Sequence, residues 1–268
     1  MSPSALGGLG TKFQGPRFTA LIDAARRLGA KDLIKAKYTY YLETLLFHLR
    51  LYSLMQSILV FCAHSDDQVL GAGATLAKYA KQGHAITVVV FSFGELTHPW
   101  LKKEYSASMR VQESKDAGKH LGLKEVSFLG LTEGKFKEEF ESKKLKNKII
   151  HLLLTKKPNK IFLHSPDDFH PDHRDVYKLI TGILKEKKFA GDVYAYEVWN
   201  PVDVLKTNWP QMYVDVTDTF NIKLQALGKF KSQKVALTVL IVSVMIGAIV
   251  FGIRHDCRFA ERFYKVPL

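Results

Sequence analysis

Two short runs of His and Asp carry the residue types in this chain that could do chemistry. The first is Ala63-His64-Ser65-Asp66-Asp67-Gln68. The second runs His164-Ser165-Pro166-Asp167-Asp168-Phe169-His170-Pro171-Asp172-His173. Imidazole and carboxylate are the donors of a catalytic zinc site, which takes N and O ligands from the protein and keeps a position open. A His and a carboxylate from one run, with a His from the other, would complete such a set. A second carboxylate beside the ligand would serve as base for an attacking water. A second imidazole, oriented by a carboxylate, would face a developing oxyanion and supply a proton to a leaving group. Taken singly, the acids also suit turns and helix starts, with Asp66 or Asp67 capping the helix after the first run and Asp172 the helix after the second. Their joint occurrence favours metal-assisted hydrolysis.

The elements around the two runs explain how they would be positioned. Ser57 to Ala63 and Lys160 to His164 are apolar and β-branched enough to be buried strands, and each stops abruptly at an acid-and-imidazole run. Chemistry in open α/β sheets sits beyond the carboxyl ends of parallel strands. Further strands are expected at Ala85–Phe93, Glu125–Leu129, Asp192–Trp199 and Gln211–Val216. Helices are expected at Gly71–Gln82, Ala107–Leu121 (ended by Gly122), Glu138–Thr155, Arg174–Lys187 and Thr219–Ser232. This alternation predicts an α/β fold, a Rossmann-like, mostly parallel sheet with helices on both faces. The loop Gly94 to Tyr105 carries Glu95, His98 and Trp100. Gly71 and Gly73 lack the later glycine or the Lys-Ser/Thr pair of a phosphate loop.

Residues 1–56 read as an extension, a Gly/Ser-rich lead-in followed by a basic helical stretch from Thr19 to about Leu54 that either packs on the main domain or lies on a membrane surface. Residues 57–268 form the main domain. With 47% hydrophobic residues there is enough apolar material for a core, and the net charge of +13 favours anionic partners or a Lys-rich solubilising surface. Lysines scattered over several helices argue against a nucleic-acid groove, so no nucleic-acid partner is expected. Two cysteines, Cys62 and Cys257, make no disulfide framework and point to a reducing, cytoplasmic setting.

At the two runs the chain resembles the PIG-L/LmbE-like de-N-acetylases, which carry Ala-His-Pro-Asp-Asp-Glu after the first strand and His-Pro-Asp-His before a later helix. The resemblance extends to Arg110-Val111-Gln112-Glu113, to Leu129-Gly130 with Glu133-Gly134, to Asp215-Val216-Thr217 followed by Lys223, Ala226 and Ser232-Gln233, and to Ala260-Glu261-Arg262-Phe263. It implies a zinc-dependent hydrolase (another divalent ion such as Fe2+ being an alternative) that removes the acetyl group from an N-acetylglucosamine-containing glycolipid or glycoside. By position, His64, Asp67 and His173 would bind the metal, Asp66 would be the general base, and His170, held by Asp172, would stabilise the oxyanion and protonate the amine. Arg110 would contact the substrate. Ser65 and Gln68 depart from the family's Pro and Glu. A binding-only descendant is the alternative that Gln68 leaves open.

Val235 to Ile253 has no charged residue and is close to bilayer-spanning length, with Lys229, Lys231, Lys234, Arg254 and Arg258 on its flanks. A span would carry Ala260-Glu261 across the membrane from the catalytic residues. The segment is therefore expected to be an in-domain helix, or one buried against another subunit or a lipid surface, rather than a span.

Overall fold

The computed structural model describes residues 38–44, 55–94, 102–198 and 208–268. The chain divides into two compact units, Met1–Leu54 and Met55–Leu268. In the first, residues 38–44 are helical, with Tyr38, Tyr41 and Leu42 exposed. The lead-in, the rest of the expected N-terminal helix, and Glu95, His98 and Trp100 lie outside the described residues.

The second unit is built on a seven-stranded sheet. Its strands are β1 (Ser57–Cys62), β2 (Ala85–Ser92), β3 (Glu125–Leu131), β4 (Lys160–His164), β5 (Asp192–Tyr196), β6 (Gln211–Asp215) and β7 (Ala260–Lys265). The helices are α1 (Asp67–Lys81), α2 (Lys103–Leu121), α3 (Phe136–Ser142), α4 (Leu145–Lys156), α5 (Pro171–Glu186), α6 (Phe220–Leu227) and α7 (Lys234–Arg254). The strand order is β3-β2-β1-β4-β5-β7-β6, with β1 to β5 parallel and β7 antiparallel to both its neighbours. The order reverses between β1 and β4. Crevices at such a reversal are where α/β sheets hold ligands, and both His/Asp runs leave the sheet there.

Side chains alternate across the central strands. Leu59, Phe61, Ile161 and Leu163 point to one face, under Phe136, Phe140, Ile149, Val176 and Ile180 of α3, α4 and α5. Ile58, Val60, Cys62 and Phe162 point to the other, under Ala72 and Leu76 of α1. The two buried faces explain why β1 and β4 read as continuous apolar runs.

The boundaries differ from the sequence reading in an instructive way. α1 begins at Asp67 rather than Gly71, and α5 at Pro171 rather than Arg174. Pro171 is preset for a helix's first position, and the His170 ring accepts the Asp172 N–H at 3.2 Å. The chemistry-bearing residues therefore sit in first helical turns, which hold side chains more rigidly than loops do. The expected helix Glu138–Thr155 is two helices, because Lys144 adopts a left-handed conformation (φ 50°) between them. Gly122 ends α2 at φ 80°, where a side chain would be strained.

Contacts from the chain's end brace α1. Lys223 donates to the Leu70 carbonyl and to Glu261, each at 2.6 Å, and Glu261 accepts the N–H groups of Ala74 and Thr75 at 3.2 and 2.7 Å. The buried pair thus grips the middle of α1 at the Leu70 carbonyl and at the N–H groups of Ala74 and Thr75. At Gly71 an added Cβ would lie 2.2 Å from the Tyr196 ring, so only glycine lets α1 lie this close to β5.

Candidate metal centre

The first run turns from β1 into α1. The carboxylate of Asp67 folds back to accept the His64 N–H at 2.7 Å. That bond closes the elbow and brings the His64 ring beside Asp67, with Nδ1 at 3.4 Å from Oδ2. The second run, leaving β4, delivers His173 from the first turn of α5. Its Nε2 lies 3.2 Å from His64 Nδ1 and 3.4 Å from Asp67 Oδ1. Two imidazole nitrogens and a carboxylate are thus spaced 3.2–3.4 Å apart. Ligands at the Zn–N length of about 2.0–2.1 Å on a tetrahedron are separated by about 3.3–3.4 Å. The donor set fits a divalent cation of that size.

His164 also approaches Asp67, with Nε2 at 3.2 Å from Oδ2, and its ring stacks on His173 at 3.8 Å. The Nε2 lone pair, however, accepts the Ala63 N–H at 3.0 Å. A nitrogen so engaged has nothing left to give a metal, so His164 ties the end of β1 to β4 and walls the site from below. By distance alone, Asp67, His164 and His173 could share an ion, as could His64, His170 and His173; with the His164 lone pair engaged, His64 stands beside Asp67 and His173 in its place.

Two carboxylates orient these ligands from behind. Asp168 Oδ1 lies 3.0 Å from His173 Nδ1 and Asp172 Oδ2 lies 3.3 Å from His64 Nε2. Such carboxylate–imidazole contacts fix the ring and raise its basicity toward a metal. Asp168 is itself held by the N–H groups of His170 and Val198, and Asp172 by that of Gly134. The charges reinforce the arrangement. Burial pushes the imidazoles down, but Asp67 and Asp168 hold His173 up to about 9, and Asp67 and Asp172 hold His64 well above the usual histidine range. Burial likewise resists the charge on Asp67, yet the imidazoles of His173, His164 and His64 keep it well below the usual carboxylate range. Burial and His173 press His164 down to about 4.

The remaining residues singled out from the sequence are placed as follows. Asp66 precedes α1, and its Oδ1 lies 3.3 Å from Arg110 Nη2. Arg110 is buried on α2, with Glu113 at 3.9 Å and the Phe230 ring beneath its guanidinium. Its direct contact is with Asp66. His170 stacks on His173 at the edge of the site, held by the backbone N–H of Asp172. The expected support of His170 by the Asp172 carboxylate is not what the fold delivers. His170 precedes the helix and Asp172 lies within its first turn, so the backbone meets the ring while the carboxylate reaches His64 and Gly134. Neither Asp66, Asp67 nor Asp172 acts as a side-chain cap.

The two departures from the family motif share a small network. Gln68 donates to the Ser65 carbonyl at 3.0 Å and to Ser114 Oγ at 3.2 Å, and Ser114 donates to the same carbonyl at 2.7 Å. Gln68 thus braces the elbow against α2 and touches no metal donor, and Ser65 needs no proline to hold its position. Ser114→Ala should remove this brace at a cost of about 1–2 kcal/mol, read as a lowered urea midpoint at constant slope.

Residues 59–184 match the family model described as PIG-L, GlcNAc-PI de-N-acetylase. That match takes in both His/Asp runs and nearly all of the strands and helices that carry them. A probable N-acetyl-alpha-D-glucosaminyl L-malate deacetylase of Bacillus cereus is 26% identical over 191 residues, covering 67% of this chain and 84% of that protein. A 4-oxalmesaconate hydratase of Pseudomonas putida is 28% identical over 199 residues, covering 67% of this chain and 74% of the hydratase. The fold is that of N,N'-diacetylchitobiose deacetylase from Pyrococcus horikoshii, with a TM-score of 0.68, 22% identity, and coverage of 79% of this chain and 84% of that one.

Proposed function

We propose that this chain belongs to the PIG-L/LmbE family and hydrolyses the acetamide of an N-acetylglucosamine-containing glycoside or glycolipid. The observation that carries the reading is the donor set His64, Asp67 and His173 at mutual separations of 3.2–3.4 Å, with Asp66 adjoining it in the chain and His170 stacked beside it. Zinc, or Fe2+ in its place, suits these donors and would supply Lewis-acid activation of the carbonyl and of the attacking water. Asp66, held by Arg110, takes the proton of that water. His170 spends its Nδ1 lone pair on the Asp172 N–H, which leaves its single proton on Nε2. Burial and the neighbouring His64 and His173 hold His170 below the usual histidine range, so the neutral ring donates toward the carbonyl oxygen as negative charge gathers there. A ring in that state has no second proton to give, so Asp66 returns its proton to the departing nitrogen. Acetate and the free amine leave. Arg110, with Nη2 3.3 Å from Asp66 Oδ1, aims the carboxylate. The free Cys62 and Cys257 suit a reducing, cytoplasmic compartment.

Resemblance to a hydratase supports a second reading, in which the same centre directs water onto a carbon–carbon double bond. Metal content and acetate release decide between the two. The purified chain is assayed with N-acetylglucosamine, diacetylchitobiose and N-acetylglucosaminyl-phosphatidylinositol, and separately with an unsaturated dicarboxylic acid. About one metal per chain and acetate from any of the sugars is the expected result. Loss of the acid's ultraviolet absorbance, with no acetate from any sugar, would overturn the deacetylase reading.

A further inference from the structure

The helix α7 is held by one face only. Leu237 is buried among Val69, Leu70, Ala117 and Phe230, and Ala248 is buried against Ala74 and Phe220. The opposite face is an apolar stripe open to solvent. Val242, Ile246 and Ile253 are 54%, 58% and 72% exposed, and Met245, Ile249 and Val250 complete the stripe. Single exposed apolar residues are ordinary, but a continuous run of six along one helix marks a surface that something covers.

Charge identifies what covers it. Lys229, Lys231 and Lys234 are exposed at the start of the helix and Arg254, His255 and Arg258 at its end, with Asp256 the one acid among them. A second copy of the chain joined through this same face would set α7 against α7. Because both ends are cationic, parallel and antiparallel pairing alike would bring cations together. An anionic lipid surface meets both features at once. Acyl chains accept the stripe, and phosphates accept the lysines and arginines, as they do for helices lying in a membrane interface.

The topology fixes how the helix lies there. Both ends of α7 return to the domain. Glu113 accepts bonds from the N–H and hydroxyl of Ser232 at 2.8 and 2.6 Å just before the helix, and β7 begins at Ala260 just after it. We propose that α7 is an interfacial helix that docks the catalytic domain on anionic bilayers by Val242, Met245, Ile246, Ile249, Val250 and Ile253. The inference stands on this surface alone and is independent of the reaction assigned to the metal centre.

The test is co-sedimentation of the full chain with vesicles of phosphatidylcholine and with vesicles of phosphatidylcholine and phosphatidylglycerol mixed. The chain should bind the mixed vesicles and bind the neutral ones severalfold more weakly. The double variant I246D/I249D, which alters exposed side chains only, should keep its circular dichroism and thermal midpoint and lose partitioning by about a hundredfold or more. K231E/K234E should lose the preference for phosphatidylglycerol. Equal binding to both vesicles, or binding unchanged in I246D/I249D, would overturn the proposal. So would a dimer that I246D/I249D dissociates, since a second copy would then be the occupant.

Discussion

Asp67→Asn should fold, purify without metal, and release acetate at least about a thousandfold more slowly than the parent chain. The effect is large because one carboxylate serves several partners at once. It accepts the His64 N–H at 2.7 Å, and its oxygens lie 3.2–3.4 Å from nitrogens of His64, His164 and His173. An amide has no charge to offset a cation, and its NH2 group would have to face either the His64 N–H or an imidazole nitrogen. His173→Ala should lose metal as completely, whereas His164→Ala should keep it, since the lone pair of His164 is taken by Ala63. Metal content after dialysis, measured alongside acetate release, separates these variants. Stoichiometric metal in Asp67→Asn would move the site to His64, His170 and His173, whose nitrogens also lie close enough to share an ion.

The two His/Asp runs of the candidate centre stood out in the sequence because each follows a strand whose apolar run ends abruptly. β4 occupies the residues expected of it, and the expected mostly parallel α/β architecture is the one observed. Other features left weaker traces. Nothing local in Ala260–Lys265 indicates that the last strand enters between β5 and β6, because that pairing is decided by contacts more than 40 residues away, among them Val214 with Glu261. The break at Lys144 is a backbone choice that an amphipathic Lys-rich pattern conceals. The partners of Asp172 and Gln68 depend on where Gly134 and Ser114 arrive, which spacing cannot supply. The charge-free segment after Lys234 is an in-domain helix, and its uniform apolarity hid the distinction between a buried and an exposed face that packing creates.

Asp66→Asn separates catalysis from metal binding. The substitution keeps the size of the side chain, and the turn into α1 depends on no side-chain bond from Asp66, because its N-cap position carries none. His64, Asp67 and His173 should therefore hold their metal as before. What disappears is the proton acceptor, together with the partner of Arg110, whose guanidinium lies 3.3 Å from Asp66 and 3.9 Å from Glu113 and sits over the face of Phe230. Loss of a positioned general base costs about a hundred- to ten-thousandfold in rate. The expected result is a kcat lowered by that factor, with KM changed little and about one metal per chain retained. Arg110→Lys should lower kcat less, since it keeps a cation near Asp66 but loses the planar fork that aims the carboxylate. A near-normal kcat in Asp66→Asn would shift the proton to His170. That assignment would require the Asp172 N–H to release the ring nitrogen it now occupies, so it would also predict a different seating of α5's first turn when substrate is bound.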